Sequence, residues 1–202
     1  MKIFCIGRNY LDHAKEMNSQ VPSEPMIFMK PQTAINNSNE IYYPAFTKDL
    51  HYELEVLLFI SKAGKNITLE SASSYYAHIG LGIDLTARDI QTICKEKGHP
   101  WEVAKSFDNS AVMGARLPKE DYNVEAINFQ LFLNDELVQN GNTKDLIFDF
   151  DQLISYISKF FSLEIGDVIF TGTPAGVGPL KTGDKLKAYI ESDLHLNLSV
   201  IQ

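Results

Sequence analysis

The sequence predicts a mixed α+β fold that is rich in β-structure, on three observations. Strand-like segments outnumber helical ones along the 202 residues. The helical stretches do not alternate regularly with strands, as a parallel βαβ array requires. No internal repeat, low-complexity tract or Pro/Gly/Ser-rich linker divides the chain, so residues 1–202 read as one domain long enough for a sizeable core.

The elements follow in order. "IFCIG" reads as a short buried strand ending at Gly7, and "NYLDHAKEMN" as a helix with Asn9 at its N-cap. "PMIFMKP" is a strand held between prolines. In "HYELEVLLFI" the period of two puts Tyr52, Leu54, Val56 and Leu58 on one face and Glu53, Glu55, Leu57 and Phe59 on the other. Both faces become apolar by mid-strand, the pattern of a strand buried on both sides. "YYAHIGLGID" is a strand ending at Asp84. "LTARDIQTICKEKG" is a helix with Thr86 to cap it, Gly98 to close it, and Ile90, Ile93 and Cys94 as its buried stripe. "INFQLFLNDELVQNG" is a hairpin turning at Asn134–Asp135. "DQLISYISKFF" presents Leu153, Ile154, Ile157, Phe160 and Phe161 on one helical face. "GDVIFTGTPAGVG" is a strand entering a Gly/Pro loop, and "DKLKAYIES" with "HLNLSVIQ" form a terminal pair of strands.

Composition narrows the function. The residues are 45% hydrophobic and 22% charged, with a formal net charge of −8, which disfavours nucleic acid and anionic membranes as partners. Cys5 and Cys94 are too few for a disulfide framework and read as reduced structural thiols. The apolar run before Arg8 is too short for a signal peptide, and none approaches the ~20 residues of a membrane span. A soluble, cytoplasmic protein is expected.

Four groups of residues carry potential chemistry. Glu53 and Glu55 enter an apolar strand on the same face, which is costly unless a cation or shared proton compensates them. With Asp84 they offer an oxygen donor set for a hard divalent cation, Mg²⁺ or Mn²⁺. A solvated strand end and a helix cap remain the alternatives for these residues. His13 and Glu16, at i and i+3 on a helix, suit a general base oriented by a carboxylate, or else a casual surface pair. Lys105, set among Trp101, Val103, Ala104 and Phe107, either snorkels or enters a site. Arg8 and Arg88 fit a substrate carboxylate or surface ion pairs. The loop "TGTPAGVGP" lets backbone approach a ligand, and Gly172 and Thr173 offer N–H and hydroxyl groups to an oxyanion; as a bare pattern it also fits an elaborate turn.

Taken in order, "GRNYLDHAKEM", "EPMIFMKP", "HYELEVLLFI", "GIDLTARDIQ", "GHPWEVAKSFD", "QNGNTKDLIFD" and "GDVIFTGTPAGVGPLKTGD" closely resemble the fumarylacetoacetate hydrolase family, and within it the short acylpyruvase / oxaloacetate decarboxylase branch. The resemblance spans nearly the whole chain. It implies a mixed β-roll or sandwich of the family's C-terminal-domain type with a few short helices, and a homodimer. It also implies a Mg²⁺ or Mn²⁺ site (Ca²⁺ able to substitute) at Glu53, Glu55 and Asp84. Further implied are a His13–Glu16 dyad, an active-site Lys105, and substrate contacts at Arg8, Arg88, Gln91 and Thr173. Gln139 matches a family position to which no role is assigned.

The activity these residues lead one to expect first is hydrolysis of a C–C bond in a 2,4-dioxo acid, an acylpyruvate, giving pyruvate and a carboxylic acid. His13, oriented by Glu16, would activate the water, and Lys105 would stabilise or protonate the pyruvate enolate. Oxaloacetate decarboxylation, dienoate isomerisation and 2-keto acid tautomerisation fit the same donor set. A non-catalytic ligand-binding protein is disfavoured, because His13, Glu16 and Lys105 are all present.

Overall fold

The computed structural model describes residues 1–16 and 20–202. It has three sheets and few, short helices. The largest is an eight-stranded mixed sheet whose path runs Met26–Lys30, Ile3–Gly7, Val168–Phe170, Leu54–Ile60, Tyr76–Asp84, Ala111–Met113 and Ile35–Asn36, with Leu117–Pro118 added beside Tyr76–Asp84. A five-stranded sheet joins Glu136–Asn142, Asn128–Leu133, Lys185–Ile190, Asp193–Ile201 and Glu40–Tyr42. A small three-stranded sheet joins Gly178–Pro179, Leu50–Tyr52 and Thr86–Ala87.

The two-sided burial predicted for "HYELEVLLFI" holds. Tyr52, Leu54, Val56, Leu58 and Ile60 enter the main hydrophobic cluster, shared with the five-stranded sheet and with Leu153, Ile154 and Ile157 of the helix Phe150–Phe160. Leu57 and Phe59 point the other way, into a second cluster with Ile3, Cys5, Val168 and Phe170. Each fully buried aliphatic side chain contributes about 1.5–3 kcal/mol over an exposed one, so register here is strongly fixed: a slip of one residue would exchange the clusters. The hairpin turns at Asn134 and Asp135, with φ of 51° and 68°, as a two-residue turn with both central φ positive requires. Gly98 closes the helix Arg88–Lys97 at φ 64°.

Local expectations fail where tertiary partners claim a side chain. Asn9 does not cap a helix: fully buried, its amide donates to the Phe148 and Thr171 carbonyls and its Oδ1 accepts from the Phe148 N–H. The helix begins after it, at Leu11–Glu16, and Met17 and Asn18 of the predicted helix, like part of the loop 17–24 beside it, lie outside the described residues. Thr86 is a strand residue paired with His51, and the Arg88 N–H instead donates to the Asp49 carbonyl. The helix Arg88–Lys97 buries Gln91 and Cys94, whereas Ile93 is exposed and Ile90 half-buried. Phe160, the last helical residue, is exposed, whereas Phe161 just beyond it packs on the core. Both cysteines are free and buried. No helix among the described residues is long and apolar enough to cross a membrane.

Candidate active site

Antiparallel pairing of Leu54–Ile60 with Tyr76–Asp84 brings the end of one strand to the start of the other, and the Asp84 N–H donates to the Glu53 carbonyl at 2.9 Å. Glu53, Glu55 and Asp84 therefore converge, each buried, with one oxygen from each within 4.8 Å of the others. The third contributor to this geometry is the strand Val168–Phe170. After it the chain turns at Gly172, φ 105°, and the Gly172 N–H donates to Glu55 Oε2 at 2.7 Å. Only glycine fits there, since an added Cβ would lie 2.7 Å from the Asn9 Cβ.

Three cations face the carboxylates. Lys105 Nζ lies 2.7 Å from both Glu53 Oε2 and Asp84 Oδ2. Arg88 donates to Glu53 Oε1 at 2.6 Å and to Gln91 Oε1 at 2.7 Å. Lys30, buried at the end of its strand, lies 2.8 Å from Asp84 Oδ1 and also donates to Ser110 Oγ and the Lys105 carbonyl. Lys105 does not snorkel: its side chain is 3% exposed.

Electrostatics divide the three acids. Burial alone would raise the Glu53 pKa, but Lys105 and Arg88 outweigh it and hold this carboxyl far below the usual range. Glu55 is pushed well above its ordinary value by burial and by the Asp84 and Glu53 charges, against only the Gly172 N–H and the more remote Lys105. Burial would lower the Lys105 pKa, yet Asp84 and Glu53 raise it above its ordinary value, so Lys105 is a charged donor and not a base.

The donor set fits a hard divalent cation. Three clustered carboxylates suit Mg²⁺ or Mn²⁺. The crowding of negative charge that raises Glu55 is what such an ion relieves. Asp84 Oδ1, a buried oxygen with no hydrogen-bond partner among the described residues apart from its ion pair with Lys30, is one donor such an ion could use.

His13 is buried beside them, with Nδ1 3.1 Å from Glu16 Oε2. Glu16 is in turn held by the Gly176 N–H, at 3.1 and 3.3 Å from its two oxygens. Gln139, whose role the sequence left open, links the parts. Its Oε1 accepts from the Leu54 N–H between the two glutamates, and its Nε2 donates to Thr173 Oγ1 and the Pro174 carbonyl.

Arg8, His13, Glu53, Glu55, Asp84, Arg88, Gln91, Lys105 and Thr173 line one cleft that opens to solvent. Glu16 and Gly172 stand behind its wall, and the Gly172 N–H, expected to meet an oxyanion, is engaged by Glu55. Sequence reasoning passed over Lys30, Lys95 and Trp101. Lys95 had a signal, since Arg88, Gln91 and Lys95 fall at i, i+3 and i+7 of one helix and all face the cavity. Lys30 had none, a lysine at a strand end being ordinary.

The model of the fumarylacetoacetate (FAA) hydrolase C-terminal family matches residues 2–198. The chain is 44% identical over 201 residues to the mitochondrial oxaloacetate tautomerase FAHD1 of Bos taurus, covering 98% of this chain and 90% of that protein. It is 42% identical over 188 residues to the oxaloacetate tautomerase YcgM of Escherichia coli, covering 92% and 86%. The solved fumarylpyruvate hydrolase of Pseudomonas aeruginosa, in complex with Mn²⁺ and pyruvate, superposes with a TM-score of 0.94 at 35% identity, covering 100% of this chain and 89% of that one.

Proposed function

The chain belongs to the fumarylacetoacetate hydrolase family, and from that premise we propose that it is a divalent-metal-dependent enzyme that interconverts the keto and enol forms of oxaloacetate. The observation that carries this reading is the placement of the Lys105 ammonium at 2.7 Å from both Glu53 and Asp84. It sets a permanent proton donor at the metal-binding carboxylates, where negative charge develops on a keto oxygen during enolisation. The names of relatives at 42–44% identity support the choice of tautomerisation.

Glu53, Glu55 and Asp84 would hold Mg²⁺ or Mn²⁺, which supplies Lewis-acid stabilisation of that charge. The chain's own residues do the rest. Glu16 holds the proton on His13 Nδ1, which leaves Nε2 as the base. His13 takes a proton from C3, and the C–H electron pair becomes the C2–C3 double bond. The oxygen on C2 gains a proton as Lys105 donates to it; His13 then releases its proton to solvent and Lys105 takes one from solvent, so no net proton is gained or lost. Thr173, whose oxygen already accepts from Gln139, has its hydroxyl proton free for the substrate's C1 carboxylate.

Hydrolysis of an acylpyruvate is the second reading, favoured by the dyad itself. A buried imidazole fixed by a carboxylate that is itself fixed by the Gly176 N–H suits deprotonation of an attacking water.

The test compares enol-to-keto conversion of oxaloacetate with pyruvate release from acetylpyruvate, each with Mg²⁺ and with EDTA, against protein-free controls. EDTA-sensitive conversion above the Mg²⁺ control supports the tautomerase. Release from acetylpyruvate without such conversion moves the assignment to the hydrolase, and inactivity on both overturns the two readings.

A further inference from the structure

The cavity contains more positive charge than the carboxylates account for. Lys30, Lys105 and Arg88 each touch Glu53 or Asp84. Two other cations line the same cavity, the half-buried Arg8 and, at its solvent-exposed edge, Lys95, and among the described residues neither forms an ion pair. Arg8 directly follows Gly7 and is held at φ 59°, a left-handed conformation that is unfavourable for a side-chain-bearing residue and persists where the surroundings impose it. Lys95 Nζ lies 5.4 Å from the centre of the Trp101 ring, which attracts the ammonium without neutralising it. Burial, with Arg88 and Arg8 nearby, lowers the Lys95 pKa to about 8, as expected of a cation with no anionic contact.

We propose that Lys95 and Arg8 form a second anion subsite in this cavity, one that takes the distal carboxylate of a dicarboxylic 2-keto acid and selects it over monocarboxylic keto acids. The inference rests on the reading of the metal-dependent site given above. Between Lys105 and Lys95 the wall carries two aromatic rings: Phe28 is centred 5.3 Å from Lys105 Nζ, Trp101 5.4 Å from Lys95 Nζ, and the two rings are 6.1 Å apart. Such a cavity is matched by a ligand that is polar at both ends and carbon in the middle. Charge balance points the same way. Lys30, Lys105 and Arg88 match the three carboxylates one for one, so the charges of Arg8 and Lys95 remain in addition to that of a bound divalent cation, and a second carboxylate on the ligand has a cation to meet. Lys95 is specificity-determining in this account because Arg88, on the same helix face, is already engaged by Glu53 and Gln91.

Calorimetric titration of the Mn²⁺-loaded protein tests it, with 2-oxoglutarate and 2-oxopentanoate as stable probes of equal chain length that differ in the distal carboxylate. The diacid is expected to bind about fivefold to tenfold more tightly, as one charge-assisted contact allows. Lys95→Met should bring the ratio close to one, and Lys95→Arg should keep most of it. Equal affinities in the wild type, or an unchanged ratio in Lys95→Met, would overturn the subsite while leaving the metal-dependent reading standing. Failure of both acids to bind to protein that does bind Mn²⁺ would overturn that reading and the subsite with it.

Discussion

Gln139 Nε2 donates to Thr173 Oγ1 at 2.9 Å, while Oε1 of the same amide accepts from the Leu54 N–H at 2.9 Å. One buried side chain thus joins the segment Glu53–Glu55, at the entrance of the strand Leu54–Ile60, to the loop that lines the cavity. Gln139→Leu should leave a buried N–H unpaired, at a cost of about 1–3 kcal/mol. For a chain of this size that lowers Tm by roughly 2–4 °C per kcal/mol, readable by calorimetry. Gln139→Glu keeps the acceptor for Leu54 but loses the donor to Thr173. It should raise KM for a keto acid by more than its effect on Tm would suggest. Equal KM values in wild type and Gln139→Glu would count against Thr173 as a substrate contact.

Gly172→Ala should be among the more damaging small substitutions. It places a Cβ 2.7 Å from the Asn9 Cβ at φ 105°, where strain of about 1–3 kcal/mol falls on any other residue. Because the Gly172 N–H holds Glu55, the variant should also bind Mn²⁺ more weakly. Direct Mn²⁺ titration of protein shown to be folded checks this, and wild-type affinity would mean that the Glu55 orientation is set elsewhere.

The parts of the fold legible in the sequence are those governed by local periodicity: the two-faced burial around Leu54–Ile60, the Asn134–Asp135 turn and the Gly98 helix end. The parts missed depend on partners distant in sequence. Asn9 has a cap's chemistry, but the 148 and 171 segments take its amide. Likewise the acids Glu53 and Glu55 were visible because carboxylates in an apolar strand break a pattern. Lys30 breaks none, since its meaning lies in Asp84, whose position depends on strand pairing. Gly172 was noticed for the right flexibility, but its N–H faces inward to Glu55 and not outward to a ligand.

Glu55→Gln should separate stability from metal binding. Burial, Asp84 and Glu53 raise the Glu55 pKa above its ordinary 4.5, so in metal-free protein the ionised form is disfavoured. A carboxyl raised in this way costs stability as pH climbs past its unfolded value toward the folded one. The neutral amide removes that cost, and the metal-free Glu55→Gln variant should melt no lower than wild type near neutral pH. Its Mn²⁺ affinity should fall by at least about tenfold, the lower end for losing even an outer partner of a metal ligand. A large drop in Tm without metal would show that Glu55 is neutralised by a contact other than a metal ion.

His13 and Glu16 discriminate between the two proposed reactions. General-base assistance contributes about 10²–10⁴-fold to rate. His13→Ala should lose that factor in whichever reaction uses the imidazole. Glu16→Gln weakens the carboxylate's hold on Nδ1 at 3.1 Å and the Gly176 contact, so it should reduce water activation most. If acylpyruvate hydrolysis falls in Glu16→Gln while oxaloacetate tautomerisation stays near wild type, the dyad serves hydrolysis. Parallel loss of both would make His13 the base for enolisation too.

The pH dependence of diacid binding and of stability should have opposite signs at Lys95. Its ammonium faces Arg8, Arg88, Lys105 and the Trp101 ring, with Glu53 as the nearest opposing charge, and its pKa is lowered by burial and the two arginines from 10.5 to about 8. Diacid affinity through Lys95 is therefore complete below about pH 8 and lost as pH rises through it. Between about 8 and 10.5 the unfolded chain binds this proton and the folded one does not, so stability rises with pH over that window. The exposure of Lys95 to solvent and screening by salt damp both effects. A titration of 2-oxoglutarate affinity from pH 7 to 9.5 should show the loss in wild type and a flat profile in Lys95→Met. The same break in both proteins would assign it to another group.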